Sequence, residues 1–186
     1  MAILPEDVRR LELRYRDVLD LVVPGWRDDP SLIDTPGRVA RWWAEFLNYD
    51  PGNTDTLFAA AQADQMVTVS GIDVWSLCEH HLLPFSSTIT IGYIAADQVV
   101  GLSKMARIAH KHAHALQLQE RLVAQIAADL ARLLGHDNVA VLADGRHLCQ
   151  EMRGIKTPAT MHTSVLRGAF RQPATREEFM ALVGRA

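Results

Sequence analysis

The 186 residues, 48% hydrophobic and 22% charged, suit a soluble globular chain with a sizeable core and exclude a disordered or fibrous one. A net charge of -3 excludes a broadly basic protein of the kind that coats nucleic acid or an anionic membrane, so any anion site must be a local cluster. No apolar run of about 18 residues occurs, and the start, Met1 to Asp7, lacks the basic and apolar parts of a secretory leader. No membrane or nucleic-acid partner and a cytoplasmic location are therefore expected.

Pro5 suits a first helical turn, and Val8, Leu11, Leu13, Tyr15, Val18 and Leu19 give a helical stripe that ends near Pro24-Gly25. A second helix should start at Pro36, capped by Asp34 or Thr35, with Val39, Trp42, Trp43, Phe46 and Leu47 on its apolar face. A Pro51-Gly52-Asn53 turn and a short helix around Thr56 to Ala63 follow. The pattern changes at Gln65. Met66 to Val69 with Ile72 to Trp75, and Thr88 to Ile94, read as strands. Gly101 to Lys104 opens a helix carrying Met105, Ile108 and Ala109. A longer helix follows, with Leu118, Leu122, Ile126, Leu130, Leu133 and Leu134 on one side and Gly135 as its stop. Val139 to Ala143 is a third strand, extended towards Cys149, and Thr160 to Arg171 a fourth. Thr175 to Glu178 has the capping-box pattern of a last helix.

Strands in neighbouring pairs without a helix between each imply an α+β fold with a four-stranded antiparallel sheet, helices packed on one face and an N-terminal helical segment. Residues 1–64 form that segment and 65–186 the catalytic domain, one compact unit overall. So short a sheet needs its open edges covered, which a homo-oligomer would do.

Two cysteines by count alone are consistent with two small buried side chains. Their neighbours point further. Cys78 and His81 form a C-x-x-H pair, a spacing that lets one turn hold two ligands on one ion. His147 and Cys149, on a strand, would share a face because side chains alternate with period two. Two thiolates and one imidazole make a three-ligand tetrahedral set with a fourth position for water, the pattern of a catalytic zinc. A closed structural site would need a fourth ligand, from His80 or His147. Beside such a metal, His147 is a candidate acid or base. His110, His112 and His114 read as mostly solvated helix surface.

Ser76-Leu77-Cys78-Glu79-His80-His81-Leu82-Leu83-Pro84-Phe85 resembles the central motif of the GTP cyclohydrolase I family. Further stretches match in order: Asp34-Thr35-Pro36 with Arg38, Gly101 to Lys104 with Arg107, Gln117 to Leu122, His147-Leu148-Cys149 with Met152-Arg153-Gly154, and Thr163-Ser164 with Arg167 to Phe170. The resemblance runs from about residue 30 to the C-terminus. It implies a tunnelling fold, a zinc ion, GTP as substrate and a decamer of two pentamers.

By the same resemblance Cys78, His81 and Cys149 are the zinc ligands. His147 is the proton donor to N7 as the purine ring opens, and His80 a second pocket histidine. Ser103 belongs to the catalytic set. Glu120, with Gln119 beside it, reads guanine, whose N1–H and 2-amino group offer adjacent donors to a carboxylate. Lys104, Arg107, Arg153, Arg38 and Arg41 serve the triphosphate, the first two near the positive end of a helix dipole. The products would be formate and 7,8-dihydroneopterin triphosphate, for a pterin or folate pathway. Departures fall at Ala115, Gln150 and Met161-His162. They leave room for two alternatives: a divergent member that stops at the ring-opened formamidopyrimidine or uses a related purine, and a non-catalytic zinc-stabilised GTP-binding protein.

Overall fold

Two helices and a curled sheet account for the two parts of the chain in the computed structural model, which describes residues 2–184 and divides into two compact units after Asp50. In the first unit, α1 (Pro5–Val22) begins on a proline, which has no N–H to leave unpaired, with Glu6 and Asp7 in the positive first turn. It packs on α2 (Thr35–Leu47), where Trp43 Nε1 donates to Tyr15 Oη at 2.5 Å. Between them Trp26 is buried and donates from Nε1 to Asp20 at 2.7 Å. The expected side-chain cap of α2 is absent. Asp34 occupies the N-cap position in a helical conformation, and its carboxylate turns to Arg38 at 3.4 Å instead.

In the second unit, β1 (Leu57–Ala59) pairs antiparallel with β4 (Gln98–Val100), so the segment expected as a helix around Thr56 to Ala63 is a strand and a turn. The edge of β4 supplies ladder partners that outweigh a weak local helical preference. The main sheet has five strands in the order β5-β2-β3-β6-β7, not four. Its long members β2 (Met66–Cys78), β3 (Pro84–Ile94), β6 (Val139–His147) and β7 (Thr160–Leu166) are antiparallel, as expected. The fifth, β5 (Leu116–Gln117), adds parallel to the end of β2. Two residues are too few to show an alternating pattern, which is why the sequence conceals it. β2 is one strand with a bulge between Val69 and Ile72, at Ser70-Gly71. β7 stops at Leu166, short of the expected Arg171, and a 3-10 turn (Gly168–Arg171) follows.

Helices α3 (Leu102–Ala113) and α4 (Gln119–Leu134) cover one face of the sheet. Met105, Ile108, Leu122, Ile126 and Leu130 from these helices meet Ile72, Val74, Phe85, Ile89 and Ile91 in one core. Each such side chain contributes about 1.5–3 kcal/mol by leaving water. The expectation that helices pack on one face only is corrected by α6 (Pro173–Val183). Phe179 of α6 and Phe170 of the 3-10 turn are fully buried with Ala140, beside Ile94 and Met66, which alternate with the residues of the first core. α6 starts at Pro173 without the capping box, because two residues earlier the chain already has a proline to open the helix. No described helix is long and apolar enough to cross a membrane.

Candidate metal centre and catalytic pocket

The end of β2 builds the first half of the site. Cys78 is buried at the last position of the strand, where its N–H donates to Leu83 O at 2.8 Å. The chain reverses at once: His81 N and Leu82 N both donate back to Cys78 O, at 3.2 and 2.8 Å. Leu82 takes a left-handed conformation with φ 56, costly for a branched side chain and held by those bonds. The turn brings His81 Nδ1 to 3.5 Å from Cys78 Sγ. It leaves His80 exposed, with its ring centroid 6.1 Å from that of His81.

The end of β6 builds the second half. The two-residue period of a strand does not carry Cys149 to the site, because the strand stops at His147 and a single helical turn, α5 (Leu148–Glu151), begins. Cys149 lies within that turn, and the change of backbone is what turns its sulfur towards Cys78. Its sulfur, Cys78 Sγ and His81 nitrogen all lie within 4.8 Å of one another. Tetrahedral zinc with ordinary bond lengths needs S···N near ~3.6 Å and S···S near ~3.8 Å, so this donor set fits a zinc-sized ion. Burial and the adjacent Cys78 push the Cys149 thiol up, with Arg153 opposing. A bound cation reverses that preference by drawing off the protons.

His147 sits beside this cluster in a tightly defined slot. Its ring stacks on Phe85, the residue opposite it on β3, with centroids 4.6 Å apart and planes 8° from parallel. Its Nε2 lies 2.9 Å from Gln119 Oε1. Gln119, the first residue of α4, is 1% exposed, and its Nε2 faces Ala143 O at 3.1 Å, Met161 O at 2.8 Å and Thr163 Oγ1 at 3.1 Å. Two carbonyls accept only from an amide N–H, so the amide oxygen is the atom turned to His147, and His147 Nε2 is the donor. Gly145 makes room for this: a Cβ there would collide with Gln119 Oε1 and come within 3.0 Å of Ser87 Oγ. Burial pulls the His147 ring below its ordinary value, while Glu120 and Glu151 push it back up.

Two arginine–glutamate pairs tie down the turns that carry Cys78, His81 and Cys149. Glu79, next to Cys78, accepts from Arg121 of α4, which also donates to Gln117 Oε1 at 2.6 Å and Leu116 O at 3.2 Å. Arg146 donates through Nε and Nη2 to both oxygens of Glu151, at 3.0 and 2.6 Å, bracketing His147 and Cys149. The sequence reading missed these four residues and the roles of Phe85 and Gly145. Glu79, Arg121 and Phe85 stand inside recognisable motifs, but nothing local says with whom they pair.

Ser103 is exposed in the first turn of α3. Lys104 and Arg107 both point to the loop before β1, donating to Asn53 O at 3.1 and 3.5 Å. Glu120 is exposed one residue into α4, and Arg153 lies exposed just past α5, close enough to act on Cys149. Arg38 and Arg41 are exposed on α2 of the first unit. The reading of His110, His112 and His114 as solvated surface is corrected. Each is partly buried, and His112 Nε2 lies 2.8 Å from Asp129, which also accepts from Lys111 at 2.7 Å and from Arg132. Helix α4 packs over this side of α3, which a helical wheel of α3 alone does not reveal.

The GTP cyclohydrolase I family model matches residues 15–184. A GTP cyclohydrolase 1 of Sulfurihydrogenibium sp. is 41% identical over 175 residues, covering 91% of this chain and 94% of that protein. One of Streptomyces griseus is 42% identical over 183 residues, covering 95% of this chain and 90% of that protein. One of Saccharomyces cerevisiae is 44% identical over 161 residues, or 83% of this chain and 66% of that protein. A solved archaeosine synthase QueF-Like aligns with 55% of the chain at a TM-score of 0.39 and 13% identity, too little to bear on the argument. With a family match over nearly its whole length and relatives at this identity, the chain belongs to the GTP cyclohydrolase I family of hydrolases.

Proposed function

We propose that this chain is a zinc-dependent GTP cyclohydrolase I that converts GTP and water to formate and 7,8-dihydroneopterin triphosphate. The observation that carries this reading is the Cys78, His81 and Cys149 donor set, compact enough for one ion and close in the chain to a half-buried, stacked histidine. Held by those three residues, zinc would supply a Lewis acid able to make water nucleophilic near neutral pH.

The chain's own groups do the rest. The Glu120 carboxylate accepts from guanine N1–H and the 2-amino group, which fixes the purine in one orientation. His147 gives a proton to N7 as the imidazole ring opens. Burial lowers the hold of its ring on a proton, with Glu120 and Glu151 opposing, and a weaker hold suits a group that gives its proton away. His80, exposed at the rim, serves proton transfer around the ribose during the rearrangement and ring closure. Water adds at C8 and opens the ring to a formamide, a second water releases that carbon as formate and frees the amine, and the amine condenses with the rearranged ribose carbonyl to close the new ring, returning one water.

Ser103, Lys104 and Arg107 in the first turns of α3, with Arg153, take the triphosphate, and the phosphate role of Arg38 and Arg41 on α2 rests on the family resemblance alone. Phosphate oxygens are stronger acceptors for Lys104 and Arg107 than the Asn53 carbonyl they contact without substrate. The tunnelling fold, a homo-oligomer built as a decamer of two pentamers, a cytoplasmic location and service to a pterin or folate pathway belong to the same reading. Open sheet edges at β5 and β7 and two free thiols support the oligomer and the reducing compartment.

Purified, zinc-loaded protein incubated with GTP should release formate together with the ultraviolet absorbance of a pterin. A formamidopyrimidine as end product would replace this reading with a reaction that stops at ring opening. GTP retained without any product would replace it with a binding protein.

A further inference from the structure

Gln119 has none of the features of a group awaiting a ligand. It is 1% exposed, and both ends of its amide are engaged by protein atoms. Its Nε2 is held by Ala143 O and Met161 O, one carbonyl from each of two neighbouring strands, with Thr163 Oγ1 as a third neighbour. Reversing the amide would set its oxygen against those two carbonyls, so the fold dictates which end faces His147. The remaining atom, Oε1, lies 2.9 Å from His147 Nε2.

The imidazole is restrained in two independent ways. Stacking on Phe85 fixes the plane of the ring, at 8° to the phenyl. Stacking leaves rotation within that plane and the choice of tautomer open. The Gln119 bond removes both freedoms, since an acceptor oxygen demands a proton on Nε2. Gly145, two residues before His147 on the same strand face, is the space this contact needs. A side chain there would drive into Gln119 Oε1.

We propose that Gln119 is a positioning residue for His147 and not a contact to the purine: it holds the Nε2 proton, confines the proton that moves to Nδ1, and depends on the absence of a side chain at Gly145. This rests on His147 acting as the proton donor in the proposed reaction. It divides the Gln119-Glu120 pair by burial. The exposed carboxylate of Glu120 faces substrate, and the buried amide of Gln119 faces the acid.

The test uses the zinc-loaded protein and two variants, Gln119→Met and Gly145→Ala. The first removes the amide at nearly constant volume. The second keeps the amide intact and displaces it. Zinc content, kcat for formate release, KM for GTP and the 15N signals of the imidazole rings are measured for all three proteins. Both variants should keep their zinc and hold KM within about twofold, with kcat lower by about 10- to 100-fold, as misplacing a reacting group does. Both should also lose the 15N signature of an imidazole with its proton held on Nε2. A raised KM at unchanged kcat would overturn the proposal and make Gln119 a purine contact. Zinc lost along with activity would overturn it in favour of a scaffold role. If the parent protein releases no formate, the reaction reading fails by itself, and an unchanged imidazole signature in both variants would still overturn the proposed contact.

Discussion

Removing the Arg121 guanidinium should loosen the metal site without touching a ligand. Arg121 reaches Glu79, Gln117 Oε1 and Leu116 O, so it joins the start of α4 to the turn that carries Cys78 and His81. The pair is far from fully exposed, with side-chain accessibilities of 41% for Arg121 and 31% for Glu79, so solvent screening trims its value. Charge-assisted and neutral hydrogen bonds of this kind total about 2 kcal/mol after that discount. Arg121→Met keeps the apolar stem and should lower the stability of the metal-free protein by about that amount in urea denaturation. Groups that orient metal ligands from behind typically change affinity 10- to 100-fold. Glu79 neighbours Cys78 without bonding to its sulfur, so the lower end, about tenfold or ~1.4 kcal/mol, is expected. Competition against a chromophoric zinc chelator reads this directly. Zinc affinity unchanged within twofold, with stability lowered as expected, would refute the clamp and leave Arg121 as a scaffold residue only.

Cys149→Ser should reduce bound zinc to near zero and abolish formate release, and a fully active, metal-free variant would remove the metal assignment. Glu120→Ala should raise KM for GTP by about 10- to 100-fold, the worth of a bidentate bond to a charged acceptor; steady-state kinetics with an unchanged KM would shift purine reading elsewhere. Burial raises the Asp129 carboxyl, but its bonds to Lys111, Arg132 and His112 outweigh that and hold it well below the usual carboxylate range. A depressed folded-state value means that its stabilisation is complete above about pH 4 and drains away as pH falls further; the acid limb of a stability profile should therefore be shallower in Asp129→Asn, and identical limbs would contradict this. Gly92→Ala puts a Cβ 2.6 Å from Phe179 Cε2 in the second core, so urea unfolding should show a loss of about 1–3 kcal/mol, whereas an unchanged midpoint would mean that α6 yields freely.

The first half of the candidate metal centre was legible in the sequence because it is local. A C-x-x-H turn needs only its own four residues to bring a sulfur and a nitrogen together, and the structure places those atoms 3.5 Å apart. The long stripes of α1, α3 and α4 and the alternation of β3 and β6 announce themselves, since period and length are properties of one segment. Where a segment takes its conformation from a neighbour, the reading failed. β1 is a strand because β4 lies beside it, and β5 consists of two residues that exist as a strand only against β2. Cys149 illustrates both sides: its grouping with Cys78 and His81 was readable from its neighbours, while the route that brings its sulfur to them was not, because a helical turn replaces the strand period after His147.

Sequence alone therefore pointed to the Cys78, His81 and Cys149 group that could hold a metal ion, and it determined the family and the ordering of the main elements, all of which follow from residue types at short spacing. Tertiary structure decided which polar groups meet. Glu79 pairs with Arg121, Arg146 with Glu151 and His112 with Asp129, and the Gln119 amide turns inwards while its neighbour Glu120 stays in solvent. Such pairings join separate segments of the chain, and a hydrogen bond depends on the position and angle of two groups in space. The spacing within either segment does not contain that information.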